Sequence, residues 1–280
     1  MKKNLIQEIK TLENLPNSIK EINNFRKNDN SDVSALVKIL KKDSLIVSNI
    51  LKISNSNLFG GNYKIETLNK AVELLGIKLI LAISIGTIIS KTINKNLFAY
   101  AVTNDDFFYS SALSAIFIDN WLGQINEDLR NELLLPAFLQ DIGKFIISQL
   151  IQDDRQTEFF LKSLVETDDI SACELEFTGY TCSRISANIF KHWDFSHNII
   201  FPIAFTQDLE NCPKDFLHKA QVLNVVKILC DIRNPLSNNN IEKALKKVLE
   251  YNFDVEYFLN SLDSIRDRIE KNSQHSLSNN

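Results

Sequence analysis

Helix breakers are scarce in this chain. Its 280 residues include 7 glycines and 5 prolines, far below the usual shares of roughly 7% and 5%, which leaves little material for the tight turns of an all-β fold. Cysteine pairs are missing too. Cys173, Cys182, Cys212 and Cys230 are widely spaced with no C-x-x-C, so neither a zinc knuckle nor a disulfide framework is signalled, and a reducing cytoplasm is expected. There is no long hydrophobic run. The longest uncharged apolar stretch, LILAISIGTIIS at 79–90, lies between Lys78 and Lys91 and is shorter than the ~20 residues that span a bilayer. Glu8 and Glu13 interrupt any apolar region after the N-terminal lysines, so neither a secretory signal nor a transmembrane segment is expected. Nor is there an excess of positive charge. With a net charge of −4 and a pI near 5.7 the chain has no general attraction for phosphate backbones, and Lys41-Lys42 and Lys246-Lys247 are expected on solvated helix faces. Neither nucleic acid nor a membrane is expected as a partner.

What remains is a helical pattern. Apolar residues make up 44% of the chain, enough for one large core or two modest ones. Ile19, Ile22 and Phe25 follow Pro16 at helical spacing, and Val33, Leu36 and Leu40 share a face. Asp43 and Ser44 are placed to cap a helix ending near Asn55, while Gly60-Gly61-Asn62 reads as a breaker. Thr67 caps a helix stopped at Gly76, and the apolar segment 79–90 follows. Asp105 and Asp106 are candidate caps for the next helix, and residues 132–150 read as a single helix with Pro136 near its first turn. Further helices are expected at 156–166, 182–193, 197–208, 215–232, 240–250 and from Asp254 to about residue 270, before a frayed tail. The fold class is all-α: a multi-helix bundle with an N-terminal lobe at 1–97, a core at 98–210 and C-terminal helices at 211–280.

Three stretches carry a more specific signal. Residues 50–80, ILKISNSNLFGGNYKIETLNKAVELLGIKLI, set an Asn55-Ser56 pair after an apolar helix, then a capped helix with Ala71 that ends in Leu75-Gly76. Residues 137–147, AFLQDIGKFII, carry Asp141 and Gly143, and residues 176–195, EFTGYTCSRISANIFKHWDF, carry Gly179 and Trp193. In this order and spacing they resemble the HDOD domain, the HD-related output domain of bacterial signalling proteins, over roughly residues 12–210. The resemblance implies an HD-like helical fold. It also implies descent from HD-type phosphohydrolases, in which histidines and aspartates on facing helices hold one or two divalent metals that activate water and clamp a phosphate.

Aligned with that pattern, this sequence departs at nearly every ligand position. Ser110 stands where the first histidine would be, Gln140 replaces the histidine of the His-Asp pair, Cys182 the one after Gly179, and Thr206-Gln207 a later histidine pair. Only Asp141 matches. One carboxylate does not hold a catalytic metal, and glutamine or threonine are poor replacements for imidazole. Asp141 is therefore expected to be a structural acceptor, satisfied by Ser110 or Ser111. Cys182 has no thiolate-stabilising partner nearby in sequence. His192 and His197, five apart, do not share a helix face and are expected at the surface. Asn55 and Ser56 are expected to end a helix and start a turn, and Gly143 to mark close helix packing.

The expected function is a non-catalytic output module, standing alone without an attached receiver domain, that binds an unidentified protein of a signalling pathway, with motility regulation implied by the resemblance. No catalytic residue, metal or cofactor is assigned. Two alternatives remain open. One is a metal-dependent phosphohydrolase or cyclic-dinucleotide phosphodiesterase with unorthodox ligands. The other is a nucleotide sensor without turnover, whose vestigial pocket of Ser110, Gln140, Asp141, Lys144, Cys182, Thr206 and Gln207 still binds.

Overall fold

The computed structural model describes residues 5–27, 32–59, 64–167 and 169–278, and among these there is no strand. The N-terminal lobe is built from α1 (Leu5–Lys10), α2 (Asn17–Lys27), α3 (Val33–Leu40), α4 (Ser44–Ser54) and α5 (Leu68–Ile93). Side-chain caps start three of them. Asp32, Asp43 and Thr67 accept the N–H groups of Ser34, Leu45 and Lys70 at 2.9, 2.9 and 3.4 Å, satisfying donors that the first helical turn cannot.

Asn55 ends α4 as expected, and its side chain does more. It donates to the carbonyls of Leu51 and Ile65 and accepts the Ile65 N–H, each at 2.8 Å. The returning chain is thereby pinned beside the helix end. Ser56 donates to the carbonyl of Ile53 at 2.7 Å. The expected Gly60-Gly61-Asn62 breaker lies outside the described residues. Inside α5, Gly76 has φ 75° and ψ 155°, a region essentially closed to residues with a Cβ. The capped helix thus stops at Gly76, and a second, apolar arm runs on to Ile93.

A short 3-10 turn, Phe98–Tyr100, leads to α6 (Asn104–Gly123), α7 (Glu127–Leu139), α8 (Lys144–Asp153), α9 (Thr157–Thr167), α10 (Ile170–Thr178), α11 (Cys182–His192) and α12 (His197–Ala204). The chain closes with α13 (Lys214–Leu229), α14 (Asn238–Glu250) and α15 (Val255–Ser278). The cap of α6 is Thr103, not Asp105 or Asp106. Asp106 completes a reciprocal capping box by accepting the Thr103 N–H at 2.7 Å.

Four further expectations are corrected. Residues 132–150 are not one helix, because the chain breaks at Gln140–Gly143 and Pro136 falls in the third turn of α7. Helix α10 went unread between two others. Helix α12 ends at Ala204, before Thr206 and Gln207, whose side chains bond Ser183 and Ser171. The tail is not frayed at 271: α15 continues to Ser278, and Asn272 donates to the carbonyl of Asn57 at 2.9 Å.

One buried apolar cluster runs through the molecule from Ile9 to Ile265, so the C-terminal helices share the core. Trp121 of α6 packs against Phe253 and Phe258 at ring-centroid distances of 5.5 and 5.6 Å, which fastens α15 to the centre. Leu68–Ile93 and Glu127–Asp153 are long and apolar enough to cross a membrane by composition, yet 67% and 94% of their most apolar windows are buried inside the protein. Packing against neighbouring helices accounts for their composition.

The conformation of Gly76 yields a stability prediction. A Cβ there meets nothing within 4 Å, so Gly76→Ala probes backbone strain alone and should lower the unfolding free energy by about 1–3 kcal/mol in urea titration. An unchanged midpoint would mean that the kink relaxes without cost.

Candidate functional site

The break between α7 and α8 is seated on the start of α11. Gly143 donates its N–H to the Ser186 hydroxyl at 2.9 Å, and Ser186 in turn donates to the carbonyl of Gln140 at 2.9 Å. A Cβ on Gly143 would lie 2.5 Å from the carbonyl oxygen of Cys182. Only glycine permits this approach of backbone to backbone, as its place in the sequence suggested.

Asp141 is exposed at this junction to charge rather than to serine. Its carboxylate accepts Lys227 Nζ at 2.5 Å and lies 3.4 Å from Lys144 Nζ and 3.6 Å from Cys182 Sγ. Ser110, the expected partner, instead donates to the carbonyl of Cys230. Lys144 also donates to Glu174 at 3.0 Å and sits 5.1 Å above the Tyr100 ring. Tyr100 donates its hydroxyl to Glu174 at 2.9 Å, and the Cys182 N–H donates to the other Glu174 oxygen at 2.9 Å. Two carboxylates and two ammonium groups thus form a neutral, buried quartet, which is the condition under which buried charge is tolerated.

Electrostatics follow from this geometry. Burial pushes the Asp141 pKa up, but the Lys227 and Lys144 charges and the bonds from Lys227 and Cys182 outweigh it, bringing it from 3.8 to about 2. Burial alone would lower Lys144 and Lys227. Glu174 and Asp141 reverse this for Lys144, and chiefly Asp141 for Lys227, so both are raised. The Cys182 thiol is pushed by burial up to about 12, so it is neither a nucleophile nor a thiolate ligand at neutral pH.

The structure brings four of the sequence-flagged residues together: Gln140, Asp141, Lys144 and Cys182. Thr206 and Gln207 sit on the far side of Ser183, where Thr206 pairs with the Ser183 hydroxyl and Gln207 accepts the Ser183 N–H at 3.2 Å. Of the seven proposed pocket residues, Lys144 and Gln207 line an open cavity. Gly179 ends α10 at φ 81°, and the Trp193 indole donates to the carbonyl of Glu13 at 3.0 Å. Both are structural. His192 and His197 are exposed, as expected. Sequence reading missed Glu174, Lys227 and Tyr100, each on an element far from Asp141 along the chain and in no motif.

The HDOD domain family model matches residues 12–209. The chain belongs to the HDOD domain family. Solved structures place this HDOD protein among helical relatives of low sequence identity. A virulence factor from Campylobacter jejuni subsp. jejuni is 22% identical with a TM-score of 0.56, covering 97% of this chain and 100% of its own. A protein of Shewanella amazonensis, provisionally named a phosphohydrolase, is 17% identical with a TM-score of 0.65, covering 97% of each chain. A protein of Marinobacter aquaeolei, provisionally named for signal transduction, is 15% identical with a TM-score of 0.66, covering all of this chain and 62% of its own. At these identities the likeness carries the fold. Among curated proteins no sequence matches.

The divalent metal implied by the HD-type ancestry does not fit these residues. Among the described residues no group of three or more His, Cys, Asp or Glu side chains is arranged to hold an ion. Asp141 faces two ammonium groups, Cys182 stays protonated, and Gln140 offers one neutral amide whose buried atoms have no hydrogen-bond partner. A second cation beside Lys227 and Lys144 would be repelled.

Breaking the quartet should be costly. Asp141→Asn leaves two buried ammonium groups facing one carboxylate, and urea unfolding at neutral pH should lose about 3–5 kcal/mol, most of it recovered in Asp141→Asn/Lys227→Met. Failure of the double variant to recover would mean that packing, not charge, holds the junction. Because the folded pKa of Asp141 lies below its unfolded value, its stabilisation, about 2 kcal/mol, is present above about pH 4 and lost as pH falls toward 2. Wild type should lose stability faster across that window than Asp141→Asn.

Proposed function

We propose that this HDOD protein is a non-catalytic module of a bacterial cytoplasmic signalling pathway that acts by binding a protein partner, with control of motility as its setting. One observation carries the reading. Asp141, the one carboxylate that matches the HD pattern, is ion-paired through Oδ1 with Lys227 and Lys144, which favours a structural tie over a metal ligand. The signal-transduction name of the Marinobacter relative supports a signalling role. Exposed apolar side chains supply a means. Phe98, Phe159 and Leu175 are 66%, 69% and 53% exposed, and they lie on the 3-10 turn, α9 and α10, where α9 packs against both of the others. Exposed apolar surface of this kind suits association with another protein.

The phosphohydrolase alternative is disfavoured by the same contact, and elemental mass spectrometry separates the two. After soaking with manganese, iron, magnesium or zinc and desalting, metal content should stay far below one per chain. A stoichiometric metal that disappears in Asp141→Ala would overturn the reading. Partner binding is tested by crosslinked pull-down from native lysate. A reproducible partner should be recovered with wild type and lost with Phe98→Asp/Phe159→Asp of unchanged helicity; recovery that is absent, or indifferent to both substitutions, counts against it.

A further inference from the structure

Lys144 and Lys227 of the charge quartet line an open cavity of about 940 Å³ between α10, α13 and α14. Six cationic side chains line it, Lys144, Lys227, Arg233, Lys243, Lys246 and Lys247, against three carboxylates, Asp169, Asp231 and Glu250. Lys144 and Lys227 are neutralised by Glu174 and Asp141 behind the lining, so Arg233, Lys243, Lys246 and Lys247 against Asp169, Asp231 and Glu250 leave the site at +1 in a chain whose net charge is −4. Lys246-Lys247, expected from sequence on a solvated face, is solvent-accessible and also borders this concavity. Concave walls of low dielectric focus such a field on whatever enters.

The cations are graded in depth. Lys144 and Lys227 are at the floor, with 3% and 10% of their side chains exposed, and are charged through Glu174 and Asp141. Lys243, Lys246 and Lys247 stand at i, i+3 and i+4 on α14, where like charges on one face repel each other at a cost of a few tenths of a kcal/mol per pair. One of them, Lys247, is paired with Glu250 at 2.7 Å. Between floor and rim lie neutral hydrogen-bonding groups, among them Ser171, Gln207, Asn224 and Asn240. Burial raises the pKa of Asp231, against the charge of Lys144. Few aromatic or apolar groups are present, so the cavity is built for charge and hydrogen bonds. Its size is in the ~300–1,000 Å³ range of small-molecule sites.

We propose that this cavity is a binding site for a small organic phosphate carrying two or more phosphate groups, held between the floor lysines and the α14 lysines. Each ammonium has three donors, and Lys227 makes one ion pair in the quartet, with Asp141. A ligand with two phosphates supplies negative charge to the cations outside the quartet, Arg233, Lys243, Lys246 and Lys247. It also touches the two ammonium groups that hold the α7–α8 junction, so occupancy is felt at the centre of the fold. The inference is independent of the protein-partner reading and stands or falls separately.

Calorimetry on the full chain in about 100 mM salt, with inorganic pyrophosphate and with metal-free ATP as probes, tests it. Saturable binding near one per chain is expected for at least one probe, with a rise in thermal midpoint that follows occupancy. Lys243→Ala/Lys246→Ala should weaken it about tenfold or more, a loss of about 1.4 kcal/mol. Asn239→Asp, which adds a negative charge at the first turn of α14 where an acid favours the helix, should weaken it without destabilising the fold. Lys41→Ala/Lys42→Ala, in the turn after α3 and outside the cavity lining, should change nothing. The proposal fails if neither probe saturates by about 10 mM, a limit of roughly 3 kcal/mol of binding free energy. It also fails if all lysine variants bind alike, or if polyglutamate binds as well as pyrophosphate, which would assign the cavity to acidic chains.

Discussion

The ion pair of Asp141 with Lys227 is the contact on which the arrangement depends. A carboxylate removed from water costs several kcal/mol even after relaxation, so Asp141 can sit in the core only if charge is brought to it. Lys227 comes from α13, 86 residues away in sequence, and this draws the C-terminal helices onto the central bundle. The second cation, Lys144, follows one turn after Asp141 and then needs its own counter-charge, which Glu174 provides from α10. Glu174 also takes the Tyr100 hydroxyl and the first N–H of α11. One buried charge therefore recruits five elements.

The backbone obeys the same constraint. For Asp141 to face Lys227, the helix that reads continuously through residues 132–150 has to break, and it breaks where Ser186 can accept the Gly143 N–H and donate to the Gln140 carbonyl. The glycine of the motif is kept because the turn rests on the Cys182 carbonyl. Gln140 is the residue left with the poorest bargain, its amide buried without hydrogen-bond partners. A buried amide of this kind costs about 1–3 kcal/mol.

The charge at the junction is arranged differently from that of a metal site. In an HD-type enzyme, carboxylates and imidazoles gather around a cation that in turn holds phosphate. Here the cations are covalent parts of the chain, lysines neutralised on one side by Asp141 and Glu174 and facing a cavity on the other. The exposed aromatic and aliphatic side chains around α9 lie on helices tied to the same quartet through Glu174, so the site and that surface share a support.

Much of the fold was determined by the sequence alone. Low glycine and proline content, helical spacing and the capping residues Asp43 and Thr67 specify local structure, because caps and periodicity act within a few residues. Asn55, Gly76, Gly143 and Gly179 were likewise legible, since each has a backbone task tied to its neighbours in the chain. The site was legible only in part. The motif drew attention to Asp141, but Lys227, which pairs with it, and Glu174 and Tyr100, which bond Lys144 and each other, lie in no motif and come together through packing of distant helices. The break after Leu139, the helical tail and the cationic cavity were decided by tertiary structure for the same reason: long-range charge and core contacts outweigh local propensity where a buried group must be satisfied.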